Sequence, residues 1–174
     1  MDKIYTLLLF TIIAFSTSCD IADNEAVPEE SFFRIYDNNL FDASFIPIDI
    51  AQSSDGGFIV LSASRLNTSN FTGVNLIKLD REGQFVSEEQ LDEQFVNPVD
   101  QLVEINDQYY FLAMNSTSLQ VNLFAVNDSA KVADITPVGG LTYPMYLNDD
   151  GQELLTLSYN NNNKLTVLSR ISTD

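Results

Sequence analysis

Two aspartates occupy matching positions in a repeated segment and are the carboxylates best placed for chemistry. Asp49 ends the tripeptide PID, and Asp100 ends the tripeptide PVD in the next repeat. A carboxylate pair can do acid–base work, for example on a glycosidic bond, only where different environments separate the two pKa values. The alternative is that both are solvated or cap turns, and the third repeat carries Tyr146 at this position.

Other motifs for catalysis or metal binding are weaker. The segments DREG, from Asp80, and DDG, from Asp149, share residues with calcium loops but lack the ligand spacing D-x-[DN]-x-[DN]-G. The sequence contains no G-x-S-x-G elbow, no phosphate-binding glycine loop and no cysteine-based metal site. We therefore expect no metal, no cofactor and no enzymatic activity.

Composition excludes further classes of function. The 174 residues include no histidine, which excludes Ser-His-Asp and Cys-His catalysis, and no tryptophan, the commonest sugar-stacking side chain. The 25 acidic and 8 basic residues give a formal net charge of -17. This charge argues against binding to nucleic acid or to anionic lipid headgroups, because such binding needs a patch of Lys and Arg. With 45% hydrophobic residues the chain can build the core of one modest domain.

Cys19 is the only cysteine and cannot form a disulfide within the chain, so its role has to be inferred from its position in the sequence. Residues 1–18, MDKIYTLLLFTIIAFSTS, combine a basic start, an apolar run and small residues, which predicts a secretory signal peptide. An uncleaved anchor is the alternative, although a spanning helix needs roughly 20 apolar residues. The segment resembles the lipobox of bacterial lipoproteins, with Ser16 and Ser18 replacing the usual Leu and Gly or Ala. The resemblance implies a lipid on Cys19 and attachment to the bacterial outer membrane.

Residues 19–31 are predicted to form an acidic tether after the lipidated cysteine. The stretch DIADNEAVPEES is polar, is interrupted by Pro28 and shows no periodicity. Acidic residues at this place resemble the signal that exports lipoproteins to the outer face of the outer membrane in some Gram-negative bacteria. An ordinary solvated linker is the alternative, so a periplasmic and a surface-exposed location both stay open.

Residues 32–174 are predicted to be an all-β domain. Short apolar and β-branched runs alternate with turn signals, and no segment keeps the apolar spacing of a helix. The predicted strands are Phe32–Tyr36, Ile48–Gln52, Phe58–Ala63, Asn75–Leu79, Phe85–Leu91, Val99–Ile105, Tyr109–Met114, Val121–Val126, Lys131–Thr136, Met145–Leu147, Glu153–Tyr159 and Lys164–Arg170.

Three repeats begin at prolines 47, 98 and 144, and this period suits a four-stranded propeller blade of about 40–50 residues. Aspartate and glycine mark the turns of each repeat because they adopt tight-turn conformations readily. The residues predicted to be structural turns are Asp55, Gly56, Gly57, Asp80, Gly83, Asp150 and Gly151.

The first repeat resembles a known family. From Gln52 to Phe85, QSSDGGFIVLSAS followed by NLIKLDREGQF is similar to the blade repeat of secreted bacterial β-propellers. The letters SDGGF also resemble the Asp-box hairpin of such blades, where the turn is structural. Repeats two and three match by pattern only, and the resemblance implies a fold and not an activity.

Three repeats do not close a propeller, which needs at least four blades. The third repeat lacks its last strand, and Phe32–Tyr36 precedes the first repeat as a strand without a blade. We expect antiparallel four-stranded blades in an open, propeller-like arc of about three blades, either truncated or a shortened relative of a longer propeller.

These features favour a lipid-anchored binding or scaffold module of the cell envelope, whose blade loops contact a protein or glycan partner. One alternative is a fragment of a polysaccharide-acting enzyme, with Asp49 and Asp100 lining the propeller axis. Another is a structural subunit that pairs with a second chain through its open sheet edges.

Overall fold

The computed structural model describes residues 45–67 and 69–173, and its regular secondary structure there is entirely β-strand. No helix in this part of the chain is long and apolar enough to cross a membrane. The predicted signal peptide, Cys19, the acidic tether and the predicted strand Phe32–Tyr36 lie outside the described residues.

The strands pair with antiparallel neighbours throughout, which confirms the predicted all-β, antiparallel class. Numbered in chain order, they are β1 (Phe45–Gln52), β2 (Phe58–Arg65), β3 (Thr72–Leu79), β4 (Phe85–Gln90), β5 (Phe95–Val96), β6 (Val103–Ile105), β7 (Gln108–Asn115), β8 (Val121–Val126), β9 (Val132–Val138), β10 (Pro144–Asp149), β11 (Leu154–Asn160) and β12 (Leu165–Ile171).

The strands form three meanders, in each of which a strand pairs with the next one along the chain. Meander one is β1–β4, meander two is β6–β9 and meander three is β10–β12. The short strand β5 pairs with both β3 and β7, so meanders one and two belong to one nine-stranded sheet. Meander three is a separate three-stranded sheet, and the described strands do not close into a barrel.

The prediction of one strand over Val99–Ile105 is wrong in its first half. The chain turns at Asp100, since the Gln101 amide donates to the Val99 carbonyl oxygen at 2.7 Å. The Val99 amide donates to the Leu112 carbonyl oxygen instead of continuing a ladder, and regular pairing begins only at β6. An apolar run that serves the core therefore does not have to be extended along its whole length.

Strands β7 and β8 of meander two are buried on both faces, whereas β9 is largely exposed. Along β7, Phe111 and Ala113 point to one face and Leu112 and Met114 to the other, following the alternation of a strand. The one–two cluster joins the first face to meander one and consists of Ile59, Leu61, Val74, Leu76, Leu102, Tyr109, Phe111, Ala113, Phe124, Val126 and Ala130. The two–three cluster joins the second face to meander three and consists of Leu66, Val96, Val99, Val103, Ile105, Leu112, Met114, Val121, Leu123, Leu141, Leu147 and Leu154.

Aromatic rings occupy the centre of the one–two cluster. The rings of Phe111 and Phe124 are stacked, with centroids 4.7 Å apart and planes 9° apart. Phe95 meets Phe124 edge-on at 5.0 Å and 85°. Both geometries suit the ring quadrupole, so these contacts add to the burial of Phe111 and Phe124, which are fully buried.

We expect Phe124→Ala to lower the free energy of unfolding by about 3–5 kcal/mol, because it removes two ring contacts and leaves a cavity between two meanders. Urea denaturation followed by circular dichroism measures this loss. The matched control is Phe85→Ala, which removes a ring that is 55% exposed on β4 and should cost less than about 1 kcal/mol. Equal losses in the two variants would contradict the assignment of the core.

Candidate functional site

The hairpin between β1 and β2 is a compact polar turn. The Ser53 amide donates to the Gly57 carbonyl oxygen at 2.9 Å, and the Gly56 amide donates to the Ser53 carbonyl oxygen at 2.8 Å. Asp55 Oδ1 accepts hydrogen bonds from the Ser53 hydroxyl at 2.6 Å and from the Gly57 amide at 2.9 Å. The aspartate thus closes the turn with its own side chain, as Asx turns do.

Glycine is required at both central places of this turn. Gly56 has φ +81°, the left-handed region that side-chain-bearing residues rarely adopt. A Cβ on Gly57 would collide with the Leu79 carbonyl oxygen on β3. The letters SDGG therefore follow from turn geometry and from the close approach of two strands.

Lys78 brings a buried positive charge to the same turn. It lies on β3, is only 5% exposed and extends Nζ to within 2.9 Å of Asp55 Oδ1. The same ammonium donates to the Ser53 hydroxyl. A lysine this deeply buried needs a counter-ion, because transferring an unpaired charge from water is costly. Asp55, whose carboxylate stays largely exposed, provides that counter-ion.

These contacts decide the chemistry open to Asp55. The hydrogen bond from Ser53, then that from Lys78, then that from the Gly57 amide hold the pKa of Asp55 well below its usual range. A general acid or base works best with a pKa near the working pH. Asp55 stays ionised near neutral pH and acts as an acceptor that holds the turn.

A second carboxylate joins this turn to meander two. Asp128, in the turn between β8 and β9, accepts hydrogen bonds from the Ser54 amide at 3.1 Å and from the Ser54 hydroxyl. The bonds from Ser54 are the main cause that lowers the pKa of Asp128. We call Ser53, Ser54, Asp55, Lys78, Tyr109 and Asp128 the turn cluster.

Tyr109, on β7, contributes a phenol hydroxyl to the turn cluster. Its hydroxyl donates to the Gln52 carbonyl oxygen at 2.9 Å and lies 3.3 Å from Asp128. Burial, followed by the negative charges of Glu104 and Asp128, raises the pKa of Tyr109 to about 12. The phenol therefore stays protonated and bridges the two meanders as a hydrogen-bond donor.

The carboxylates of the other predicted turn residues, Asp80 and Asp150, also accept hydrogen bonds from nearby backbone amides. Asp80 Oδ1 accepts from the Glu82 amide at 3.0 Å and the Gln84 amide at 2.6 Å, with Gly83 at φ +70°. Between β10 and β11, hydrogen bonds from the turn's amides, led by that of Glu153, lower the pKa of Asp150. Gly151 in that turn has φ +88°.

The two candidate axial carboxylates have different surroundings. Asp49 Oδ1 accepts from the Ile50 amide and Oδ2 accepts from the Leu102 amide, both at 2.8 Å. Asp49 thereby joins β1 to the segment that precedes β6. Asp100 is exposed at the bend before that segment, and a gathering of Asp49 and Asp100 around an axis stays a prediction.

Across residues 45–67 and 69–173, no group of three or more Asp, Glu, Cys or His side chains is arranged to hold a metal ion. The chain matches no protein-family model and no curated protein. Its site therefore has to be interpreted from its own geometry.

Sequence reasoning missed Lys78, Tyr109 and Asp128. One signal was present: Lys78 shares a face of β3 with Val74 and Leu76, so the alternation of that strand places a cation among apolar residues. No comparable signal exists for the Ser54–Asp128 contact, since 74 residues separate the partners.

Acid should remove part of the stability that the turn cluster provides. The pKa of Asp55 in the folded chain lies below its ordinary value of 3.8, so its contribution is present above that value and is lost as the pH falls. Asp55→Asn should therefore lose less stability than the wild type between about pH 6 and pH 2, as measured by urea unfolding at each pH.

Asp100→Asn is the matched control for this experiment, because it removes an exposed carboxylate without changing the turn. Its acid profile should follow that of the wild type. Parallel curves for Asp55→Asn and Asp100→Asn would show that the carboxylate of Asp55 is not specially coupled to folding.

Proposed function

We propose that the chain is a lipid-anchored module of the bacterial outer membrane, built as a propeller-like arc of three blades, which binds a partner or serves as a scaffold. The packing of meander two against a meander on each face carries this proposal. Antiparallel meanders that cover one another face to face are the way propeller blades pack. Meander three has three described strands, whereas meanders one and two have four each, and this difference suits an open arc.

The two ends of the meanders differ in chemistry, which supports a binding surface at one of them. Within each meander, the loop that joins the second and third strands lies at the end opposite the aspartate turns. The described residues of these loops, at 66–67, 69–71, 116–120 and 161–164, are rich in Asn, Ser and Thr. These side chains donate and accept hydrogen bonds without charge, which suits glycan hydroxyls and protein backbones alike. The opposite end carries the aspartate turns, whose carboxylates hold local amides.

The arrangement favours binding over catalysis. Both carboxylate oxygens of Asp49 accept backbone amides, and Asp55 balances the charge of Lys78. Carboxylates engaged in this way stabilise turns and strand contacts, and the lowered pKa of Asp55 makes that residue poorly suited to exchange protons with a substrate. Loops on a rigid β-scaffold remain the natural contact surface.

Pairing through a sheet edge is a second candidate, favoured by one observation. Among the described strands β4 pairs with β3 alone, and Phe85 and Val86 at its start are each 55% exposed. An exposed apolar edge strand is a template for a strand from another chain.

The lipid anchor is tested at Cys19. In a bacterial host, the wild-type chain should incorporate a radiolabelled fatty acid and sediment with membranes, whereas Cys19→Ser should do neither, because serine has no thiol to receive the lipid. Ser18→Gly, which moves the segment toward the usual lipobox, is the matched control and should keep the label. A wild-type chain that stays unlabelled would refute the anchor.

The binding surface is tested in the asparagine loop between β11 and β12. The full chain should be retained by immobilised oligosaccharides or by immobilised envelope proteins. Replacing Asn161, Asn162 and Asn163 together by alanine should lower the affinity for that surface about tenfold, because several hydrogen bonds are lost. Glu82→Ala, in an exposed turn at the opposite end, is the control. Retention on neither surface, or equal losses in the two variants, would contradict the proposal.

A further inference from the structure

A buried strip runs along the face of meander one that points away from meander two. Side chains alternate along β2 and β3, so that Leu61 and Leu76 enter the one–two cluster while their neighbours in sequence point to the opposite side. We call the residues of that opposite side the outer strip, and they are Val60, Ser62, Ser64, Asn75, Ile77 and Leu79.

The outer strip is buried although neither described core accounts for it. Asn75 is fully buried, and Ile77 and Leu79 are each 5% exposed, yet none of the three belongs to the one–two or the two–three cluster. Leu66 lies against Gly73 at one end of the strip. Leu79 is at the other end, roughly 20 Å further along β3. One side chain does not cover both ends, so the strip requires a further covering segment.

Two side chains of the outer strip have polar atoms without partners. Asn75 Nδ2 and Oδ1 and Ser64 Oγ are buried and form no hydrogen bond within the part of the chain that the structure describes. The Ser62 hydroxyl, by contrast, donates to the Asn75 carbonyl oxygen at 3.2 Å. A buried polar group left unpaired costs roughly 1–3 kcal/mol, so such groups are nearly always matched. An amide group and a hydroxyl together suit the N–H and C=O groups of a backbone that passes over them.

The buried part of this face is narrow. On the flanking strands of the same face, Ile50 pairs with Val60 and is 57% exposed, and Phe85 pairs with Leu79 and is 55% exposed. The strip is therefore two strands, or about 10 Å, wide. A single extended segment covers that width, whereas a second sheet would also bury the two flanking strands.

The chain that leads into β1 has the length to cover the outer strip. β1 begins at Phe45, which pairs with Ser64 at the end of the strip. Residues 36–44 come directly before it. Nine extended residues reach about 30 Å, which exceeds the roughly 20 Å between the two ends of the strip.

The order of residues in this segment matches the order of chemistry along the strip. Residues 36–44 read YDNNLFDAS. A chain that folds back from Phe45 brings residues 42–44 over the polar end of the strip, at Ser64 and Asn75. It then brings the apolar pair LF, residues 40–41, over the apolar end, at Ile77 and Leu79.

We propose that residues 36–44 fold back from β1 and lie along the outer strip, so that they cap meander one. The backbone of residues 42–44 pairs with the polar atoms of Ser64 and Asn75. Leu40 and Phe41 leave water against the apolar end of the strip. The contact is independent of the lipid anchor and of the loop surface.

Hydrogen exchange of the full chain, followed by mass spectrometry, tests whether this segment is docked. Amides of residues 40–44 should exchange at least about tenfold more slowly than in an unstructured peptide, because a docked backbone opens only rarely. Leu40→Ser combined with Phe41→Ser should abolish this protection. Phe32→Ser combined with Phe33→Ser, which changes an apolar pair outside the segment, is the matched control. Unprotected amides in the wild type, or equal losses in the two double variants, would overturn the proposal.

Cross-linking of the full chain tests where the segment docks and leaves Leu40 in place. Phe41→Cys is combined with Ile50→Cys or with Glu88→Cys, since these residues flank the strip beside Val60 and Ile77. A short bismaleimide should join at least one of these pairs within one chain, as shown by mass spectrometry of peptides, which also separates products of Cys19. Leu168→Cys, at a residue that is 67% exposed on meander three, replaces the flanking cysteine in the control. Links to neither flank, or equal linking in the control, would contradict the proposed site.

Discussion

The buried ammonium group of Lys78 is the constraint on which the first half of the structure depends. A cation on the apolar face of β3 is tolerable only if a carboxylate meets it, and the turn between β1 and β2 supplies Asp55. Sliding β2 past β3 by one residue would move the turn away from Lys78 and direct the wrong side chains inward. Electrostatics and the apolar alternation therefore require the same strand register.

The turn cluster carries that requirement into the contact between meanders. Lys78 donates a hydrogen bond to the Ser53 hydroxyl, and the next residue, Ser54, donates to Asp128 in meander two. The Tyr109 hydroxyl, from β7 of meander two, donates a further hydrogen bond to the Gln52 carbonyl oxygen of meander one. The stacked rings of Phe111 and Phe124 belong to the same hydrophobic cluster as Tyr109, so polar and ring contacts join the same two meanders. Packing alone would allow small shifts between the meanders, and directional bonds at their ends remove that freedom.

The sequence predicted the strands well where apolar alternation ends at a turn rich in aspartate and glycine. Both the SDGG hairpin and the run NLIKLD belong to this class, since each signal depends on neighbours within a few residues. The prediction over Val99–Ile105 was wrong in its first half, because the Gln101 amide turns back to the Val99 carbonyl and the Leu102 amide bonds to the distant Asp49 carboxylate, neither of which an apolar run reveals. The Ser54–Asp128 contact was equally invisible. Leu157 and Leu168 look like core residues in the sequence, and only the packing of whole meanders shows that they are exposed.

The short strand β5 has a mechanical consequence. By pairing with both β3 and β7 it joins meanders one and two with backbone hydrogen bonds, whereas meander three shares no ladder with them. A stretching force on the chain would therefore separate meander three from meander two by breaking the side-chain contacts of the two–three cluster, without breaking a strand ladder. Meanders one and two would part only after ladder bonds break. Meanders one and two should therefore resist a mechanical force better than meander three does. The connection between the two sheets runs through Gly139 and Gly140, before β10.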